Sequence, residues 1–238
     1  MARRPAPSPD NLVRAPDCPA PRWHRRPDDR PHEIIDAAFR VFGEHGLSRT
    51  RLEDVAREAG VSKGTIYLYF DSKESLFREV VRSRIISVIE AAEQRAEATK
   101  GEPDALRRFA VRHWEFVTSP DFQAMYRLVN SDLVHFPDLA RFYGAEVIQR
   151  SLRLLVSILT QAMERGELRK MDPVRAARIF GSMFTTHAVW FERREAFGTF
   201  TNESAESVRD SLLDFFLQSL AIEPAGHAGD DPTPQSRT

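Results

Sequence analysis

Six residues within a short stretch of the chain carry groups that donate hydrogen bonds on an otherwise ordinary surface: the hydroxyls of Ser62, Thr65, Tyr67 and Tyr69 and the ammonium groups of Lys63 and Lys73. They fall inside Thr50-Arg-Leu-Glu-Asp-Val-Ala-Arg-Glu-Ala-Gly-Val-Ser-Lys-Gly-Thr-Ile-Tyr-Leu-Tyr-Phe-Asp-Ser-Lys-Glu-Ser-Leu-Phe77. Donors of this kind suit phosphate oxygens and the acceptor edges of bases, and Gly64 lets a backbone approach such a surface closely. Catalytic chemistry finds no comparable footing. The chain has no G-x-S-x-G, no phosphate-binding glycine loop, no H-E-x-x-H and no cysteine nucleophile in context. Its seven histidines, among them His24, His32, His45 and His135, show no H-x-x-x-H spacing for a metal. No enzyme activity, cofactor or metal is expected.

The elements that must position these donors are legible from their ends. Thr50 and Glu53 read as a capping box, Leu52, Val55 and Ala56 form an apolar stripe, and Gly60 stops that helix. Ser62 then reads as the cap of a second helix, in which Ile66 and Phe70 share the buried side while Lys63, Thr65 and Tyr67 face away. Two short helices around one turn, the second loaded with donors, make a helix-turn-helix. Pro31 suits a first helical position, and Ile34, Ala38, Val41 and Phe42 continue a supporting helix until Gly43 and Gly46 weaken it. Asp71 and Glu74 read as a further capping box, leaving Lys73 at a helix N-terminus where an anion such as a DNA phosphate is needed nearby.

Ile34-Ile-Asp-Ala-Ala-Phe-Arg-Val-Phe-Gly-Glu-His-Gly46, Leu52-Glu-Asp-Val-Ala-Arg-Glu-Ala-Gly60 and Val61-Ser-Lys-Gly-Thr-Ile-Tyr-Leu-Tyr-Phe70 together resemble the DNA-binding domain of the TetR family of transcriptional regulators, over about residues 31–77. The resemblance implies that Thr50, Ser62, Lys63, Gly64, Thr65, Tyr67, Tyr69 and Lys73 line double-stranded DNA, with Lys73 and the tyrosines mainly on phosphates. Leu68 departs from the polar or aromatic residue some members place there and is suited to a thymine methyl at most.

Beyond this unit no strand alternation stands out, and helical periodicity recurs over about 73–99, 103–118, 121–133, 138–165, 173–197 and 203–221. The fold class is therefore all-α. Four parts are expected: an Arg/Pro-rich disordered arm at 1–30, the DNA-binding unit at 31–77, a helical effector-binding and dimerisation domain at 78–221, and a disordered tail at 222–238. The arm carries seven arginines and would add phosphate or minor-groove contacts. The helix starting at Lys73 runs without Pro or Gly to Lys100, so a shift at its far end would move the reading helix.

Val174, Ala177, Phe180, Gly181 and Phe184 on one late helix, and Val208, Leu212, Phe215 and Phe216 on the next, spread apolar surface over more than one face. A helix apolar on several sides must be covered on several sides, which predicts a homodimer through a four-helix bundle. Two reading helices related by a two-fold axis would then fit an inverted-repeat operator. Phe109, His113, Trp114, Phe122, Met125, Tyr126, Phe184, His187 and Trp190 supply the rings, thioether and polar tips that line pockets for apolar or aromatic molecules. The resemblance implies a small effector that releases DNA. The expected mechanism is allosteric repression, although an activator uses the same parts, and a helical scaffold would leave the Lys63, Thr65 and Tyr67 face without a purpose.

The chain of 238 residues carries 42% hydrophobic and 29% charged residues and a net charge of −1, the composition of a globular soluble protein and not of one that coats nucleic acid. A single cysteine, Cys18, excludes a disulfide within the chain and a cysteine-based zinc site. No window approaches a membrane span and no secretory apolar core opens the chain, so the expected location is cytoplasmic.

Overall fold

A computed structural model describes residues 30–221; the expectations for the arm, the tail, Cys18 and His24 lie outside the described residues. Every regular element among the described residues is helical. α1 (Arg30–His45) buries Ile34, Ile35, Ala37, Ala38, Val41 and Phe42 on one stripe and ends where Gly46, at φ +77°, turns the backbone out of the helix. Gly43 lies inside α1 and does not end it.

α2 (Leu52–Glu58) buries Leu52, Val55 and Ala56 against α1. It closes with a Schellman arrangement: Val61 N–H donates to Ala56 O at 2.9 Å, Gly60 N–H donates to Arg57 O at 3.2 Å, and Gly60 sits at φ +66°. Its N-terminus corrects the expected capping box. Asp54 Oδ2 accepts from the Arg51 amide at 3.1 Å, while Thr50 Oγ1 donates backwards to Gly46 O at 2.7 Å. The pairing slid by one residue because Thr50 belongs to the preceding turn, whose carbonyl it satisfies.

α3 (Lys63–Tyr69) starts at Ser62, whose Oγ accepts from Thr65 N at 3.1 Å as expected. α4 (Lys73–Val81) is capped by Ser72 and Ser75, each side chain bonded to the other's backbone amide, and not by Asp71 and Glu74. Its rod continues through a π-helical stretch, Arg82–Ile86, into α5 (Ser87–Ala98). The widened turn was not legible, since no proline or glycine marks it.

α6 (Ala105–Val117) and α7 (Pro120–Asp132) follow, then α8 (Pro137–Tyr143), a second π-helical stretch Gly144–Gln149, and α9 (Arg150–Glu164). Arg150 ties α9 to α5 by donating to both Glu93 oxygens at 2.7 Å. α10 (Pro173–Glu192) packs on α9, α6 and α12 (Ala205–Ser219), with α11 (Arg194–Phe197) between them in sequence. That packing changes the interface residues expected from α10 and α12. Ala177, Phe180, Phe184, Val208, Leu212 and Phe216 are buried within the chain itself, Val174 and Gly181 are half-buried, and of the nine only Phe215 stands out, 67% exposed. An apolar helix in this chain finds most of its cover on three neighbouring helices of the same chain.

Candidate nucleic-acid interface and the helical domain behind it

α3 is held by one side and offered by the other. Ile66 is fully buried and Phe70 nearly so, anchoring α3 on α2. Ser62, Lys63, Gly64, Tyr67, Leu68 and Tyr69 are exposed, Leu68 at 79%. Thr65 is half-buried and its hydroxyl lies 2.8 Å from that of Ser62. The apolar spacing of four residues forces this division on so short a helix.

Glu53 of α2, which has no local sequence signal for the role, organises the polar edge. Its Oε1 accepts from Lys63 Nζ at 2.7 Å and from the Tyr67 hydroxyl at 3.3 Å, and the ammonium sits 5.8 Å from the Tyr67 ring centre. The hydrogen bond from Lys63 holds the Glu53 carboxyl below its usual value, and the same bond raises Lys63. A pair this open to water adds little stability, so Lys63 can exchange Glu53 for a phosphate cheaply.

Two expected DNA contacts are placed elsewhere. Thr50 is 2% exposed with its hydroxyl committed to Gly46, so it does not present a donor at the surface. Lys73 Nζ donates to three carbonyls, those of Leu47 at 2.8 Å, Ser48 at 2.9 Å and Thr50 at 3.2 Å. All three ammonium protons are used inside the protein. The anion that a cation at a helix start calls for is supplied by carbonyl dipoles of the turn between α1 and α2.

In the helical domain the rings expected near an effector form three groups. Phe109 stacks on His113 at 5.4 Å, both meet Phe180, and His113 also meets Phe184, which stacks on Phe180 at 4.1 Å. Trp114 joins them edge-on to Phe184 at 6.1 Å. Phe122 and Tyr126 pair at 6.0 Å beside Phe116, with Met125 of the same helix fully buried. His187 and Trp190 lie 5.9 Å apart towards the end of α10, His187 Nδ1 is 2.7 Å from Met183 O, and Trp190 is 45% exposed. His113 Nε2 and Trp114 Nε1 are buried without a hydrogen-bond partner among the described residues. Burial pushes His113 down to about 4, so its ring is neutral at physiological pH. Two open clefts, of about 450 Å³ beside Val41, His45 and Arg57 and about 510 Å³ along Glu192–Ala196, include none of these rings.

A capped, exposed donor helix on a three-helix unit, continued through the α4–α5 rod into an all-helical domain, defines a helix-turn-helix regulator with its DNA-reading and helical parts in one chain. Residues 34–80 match the family model described as bacterial regulatory proteins, tetR family, and residues 104–220 match that of the AefR-like transcriptional repressor C-terminal domain. The fatty acid metabolism regulator protein of Bacillus subtilis (strain 168) is 32% identical over 165 residues, which cover 66% of this chain and 81% of that protein. The HTH-type transcriptional repressor KstR2 of Mycolicibacterium smegmatis is 25% identical over 156 residues, 65% of this chain and 73% of that one. The structure of the flavonoid-responsive regulator FrrA superposes with a TM-score of 0.59 at 29% identity, covering 83% of this chain and 100% of that one. The chain belongs to the TetR family of transcriptional regulators, non-enzymatic proteins that bind DNA.

Among the described residues no helix is long and apolar enough to cross a membrane.

Proposed function

We propose that the protein is a homodimeric repressor that binds an inverted-repeat operator and is released from it by a small apolar or aromatic effector. The observation that carries this reading is α3, whose exposed Ser62, Lys63, Gly64, Tyr67, Leu68 and Tyr69 stand over a buried Ile66. Residues 31–77 form the reading unit in this account and 78–221 the effector and dimer domain. Thr65 supports the edge through Ser62, while Thr50 and Lys73 hold the unit together from behind.

The dimer is assigned to the outer faces of α10 and α12. Ile179 is 51% exposed and Phe215 67%, and Ser182 and Thr186 continue the face of Ile179 at helical spacing with small side chains. The effector is assigned to the rings around Phe109, His113, Trp114 and Phe184, with Phe122, Met125 and Tyr126 on α7 and His187 and Trp190 as outer members. Relatives named for fatty acid metabolism and for flavonoid response support an apolar or flat ligand. Repression rather than activation is supported by the match of residues 104–220 to the AefR-like transcriptional repressor C-terminal domain. Effector and operator oppose each other by the same factor, and about 1–3 kcal/mol of coupling would correspond to roughly 5–150-fold.

Fluorescence anisotropy of the full chain on duplexes tiling the DNA upstream of its own gene tests this. Tight binding to one inverted repeat, reversed by a long-chain fatty acid, its acyl-CoA or a flavonoid, is expected. Equal, weak and salt-sensitive binding to every duplex would sink it.

A further inference from the structure

The turn between α1 and α2 is closed by Lys73 from within the reading unit and by Asp132 from outside it. Asp132, the last residue of α7, is 7% exposed, and its Oδ1 accepts from the Ser48 amide at 2.9 Å while Oδ2 accepts from the Ser131 hydroxyl at 2.7 Å. Gly46 lies against that carboxylate: a Cβ there would meet Oδ2 at 3.2 Å and Oδ1 at 3.3 Å. The carbonyls of the same turn go to Lys73, whose ammonium also sits 5.5 Å from the ring centre of Phe136, four residues beyond Asp132. At the other end of α7, Asp121 accepts from Arg84 Nη1 at 3.0 Å, and Nη2 of that same guanidinium donates to Asp36 on α1 at 2.6 Å. α7 therefore meets the reading unit directly through Asp132 at one end and by way of the Arg84 bridge to Asp36 at the other.

We propose that Asp132 is a positioning residue for DNA reading: by holding the Ser48 amide it sets the α1–α2 turn, and with it α2 and α3, in one pose against the helical domain. The proposal rests on the dimeric operator reading above.

The physical reason is directional. Packed apolar side chains tolerate small slides, whereas the part-buried bond between the Ser48 amide and the buried Asp132 carboxylate is lost within about an ångström and leaves that carboxylate short of a donor. Burial would raise the Asp132 carboxyl, but the hydrogen bonds from Ser131 and Ser48 hold it below its usual value, so it stays charged at neutral pH and the requirement for donors persists. In a dimer, a fixed pose in each subunit fixes the separation of the two reading helices. Asp132 thereby selects the operator spacing without touching DNA.

The test compares the full chain with Asp132→Ala, Asp132→Glu and Asp132→Asn, the last keeping a carbonyl oxygen for the Ser48 amide. Hydrogen exchange read by mass spectrometry over residues 46–50 should quicken about tenfold or more in Asp132→Ala and stay near the parent in Asp132→Asn. Anisotropy is measured on the operator and on the same operator with one base pair inserted between half-sites. The parent should prefer its own spacing by about tenfold or more. Asp132→Ala should lose most of that preference, Asp132→Asn should keep it, and Asp132→Glu, a charge displaced by one methylene, should lose it should the alanine variant not fold. A parent that prefers one spacing while Asp132→Ala and Asp132→Glu keep that preference overturns the proposal alone, even with faster exchange. A parent with no spacing preference brings down the operator reading, and the proposal falls with it.

Discussion

Lys63 meets Glu53 at 2.7 Å, and under the proposed function docking exchanges that carboxylate for a phosphate. Lys63→Ala should weaken binding to all duplexes alike and lower the salt slope of the logarithmic affinity by about 1, because one counterion is no longer released. Tyr67→Ala should weaken the operator complex by about tenfold while thermal melts stay unchanged; operator binding as tight as the parent's would mean that α3 is not the reading helix. His113 makes a different prediction. Its folded value of about 4 lies below the ordinary 6.5, so between those limits the unfolded chain takes up a proton that the folded chain refuses. Stability should fall as pH drops through that window, by up to on the order of 3 kcal/mol, and His113→Phe should flatten this part of the denaturant-measured profile. Of these residues, Ser62 as a cap was legible because the bond reaches only three positions along the chain. Glu53 was not, because its partners are ten and fourteen positions away on another helix.

At the scale of elements the turn between α1 and α2 carries more weight than its length suggests. Thr50, Lys73 and Asp132 bind four of its carbonyls and one of its amides, and of the three only Lys73 and Thr50 are legible in the sequence, as expected DNA contacts. Lys73→Met keeps most of the side-chain volume and removes the three donors. It should destabilise the protein by about 1–3 kcal/mol in a denaturant melt, since three carbonyls lose a charged partner, and leave the salt slope of DNA binding unchanged. A lower slope with unaltered stability would return Lys73 to the phosphate backbone. The same reasoning separates the two helix starts: Ser62 caps α3 on the exposed side, while Ser72 and Ser75 cap α4 where the chain turns inward. The rod from Lys73 to Ala98 is continuous as its composition requires, but Arg82–Ile86 widens it at the level of Arg84, the residue that reaches both Asp36 and Asp121.

For the whole molecule the decisive feature is which apolar surface remains after one chain has folded. Phe180 packs on Phe184 and edge-on to Phe216, so Phe180→Ala should cost about 3–5 kcal/mol in stability through the cavity it leaves. Ile179→Asp and Phe215→Asp, on the outer faces, should instead yield folded monomers, seen by light scattering and far-ultraviolet circular dichroism. A dimer that survives both changes would place the interface elsewhere. The amino-acid sequence by itself determined the helical class, the helix-turn-helix and its exposed donors, since caps, turns and the spacing of apolar residues act over four positions or fewer. It also placed Phe180, Phe184 and Phe216 on helices needing cover. Only the tertiary structure decided that this cover comes mostly from the same chain, that Thr50 and Lys73 face inward, and that Asp132 meets Ser48. Hydrophobic burial and hydrogen bonding between residues 84 positions apart depend on how helices cross, and a pattern with a period of 3.6 residues carries no information about which helix lies opposite.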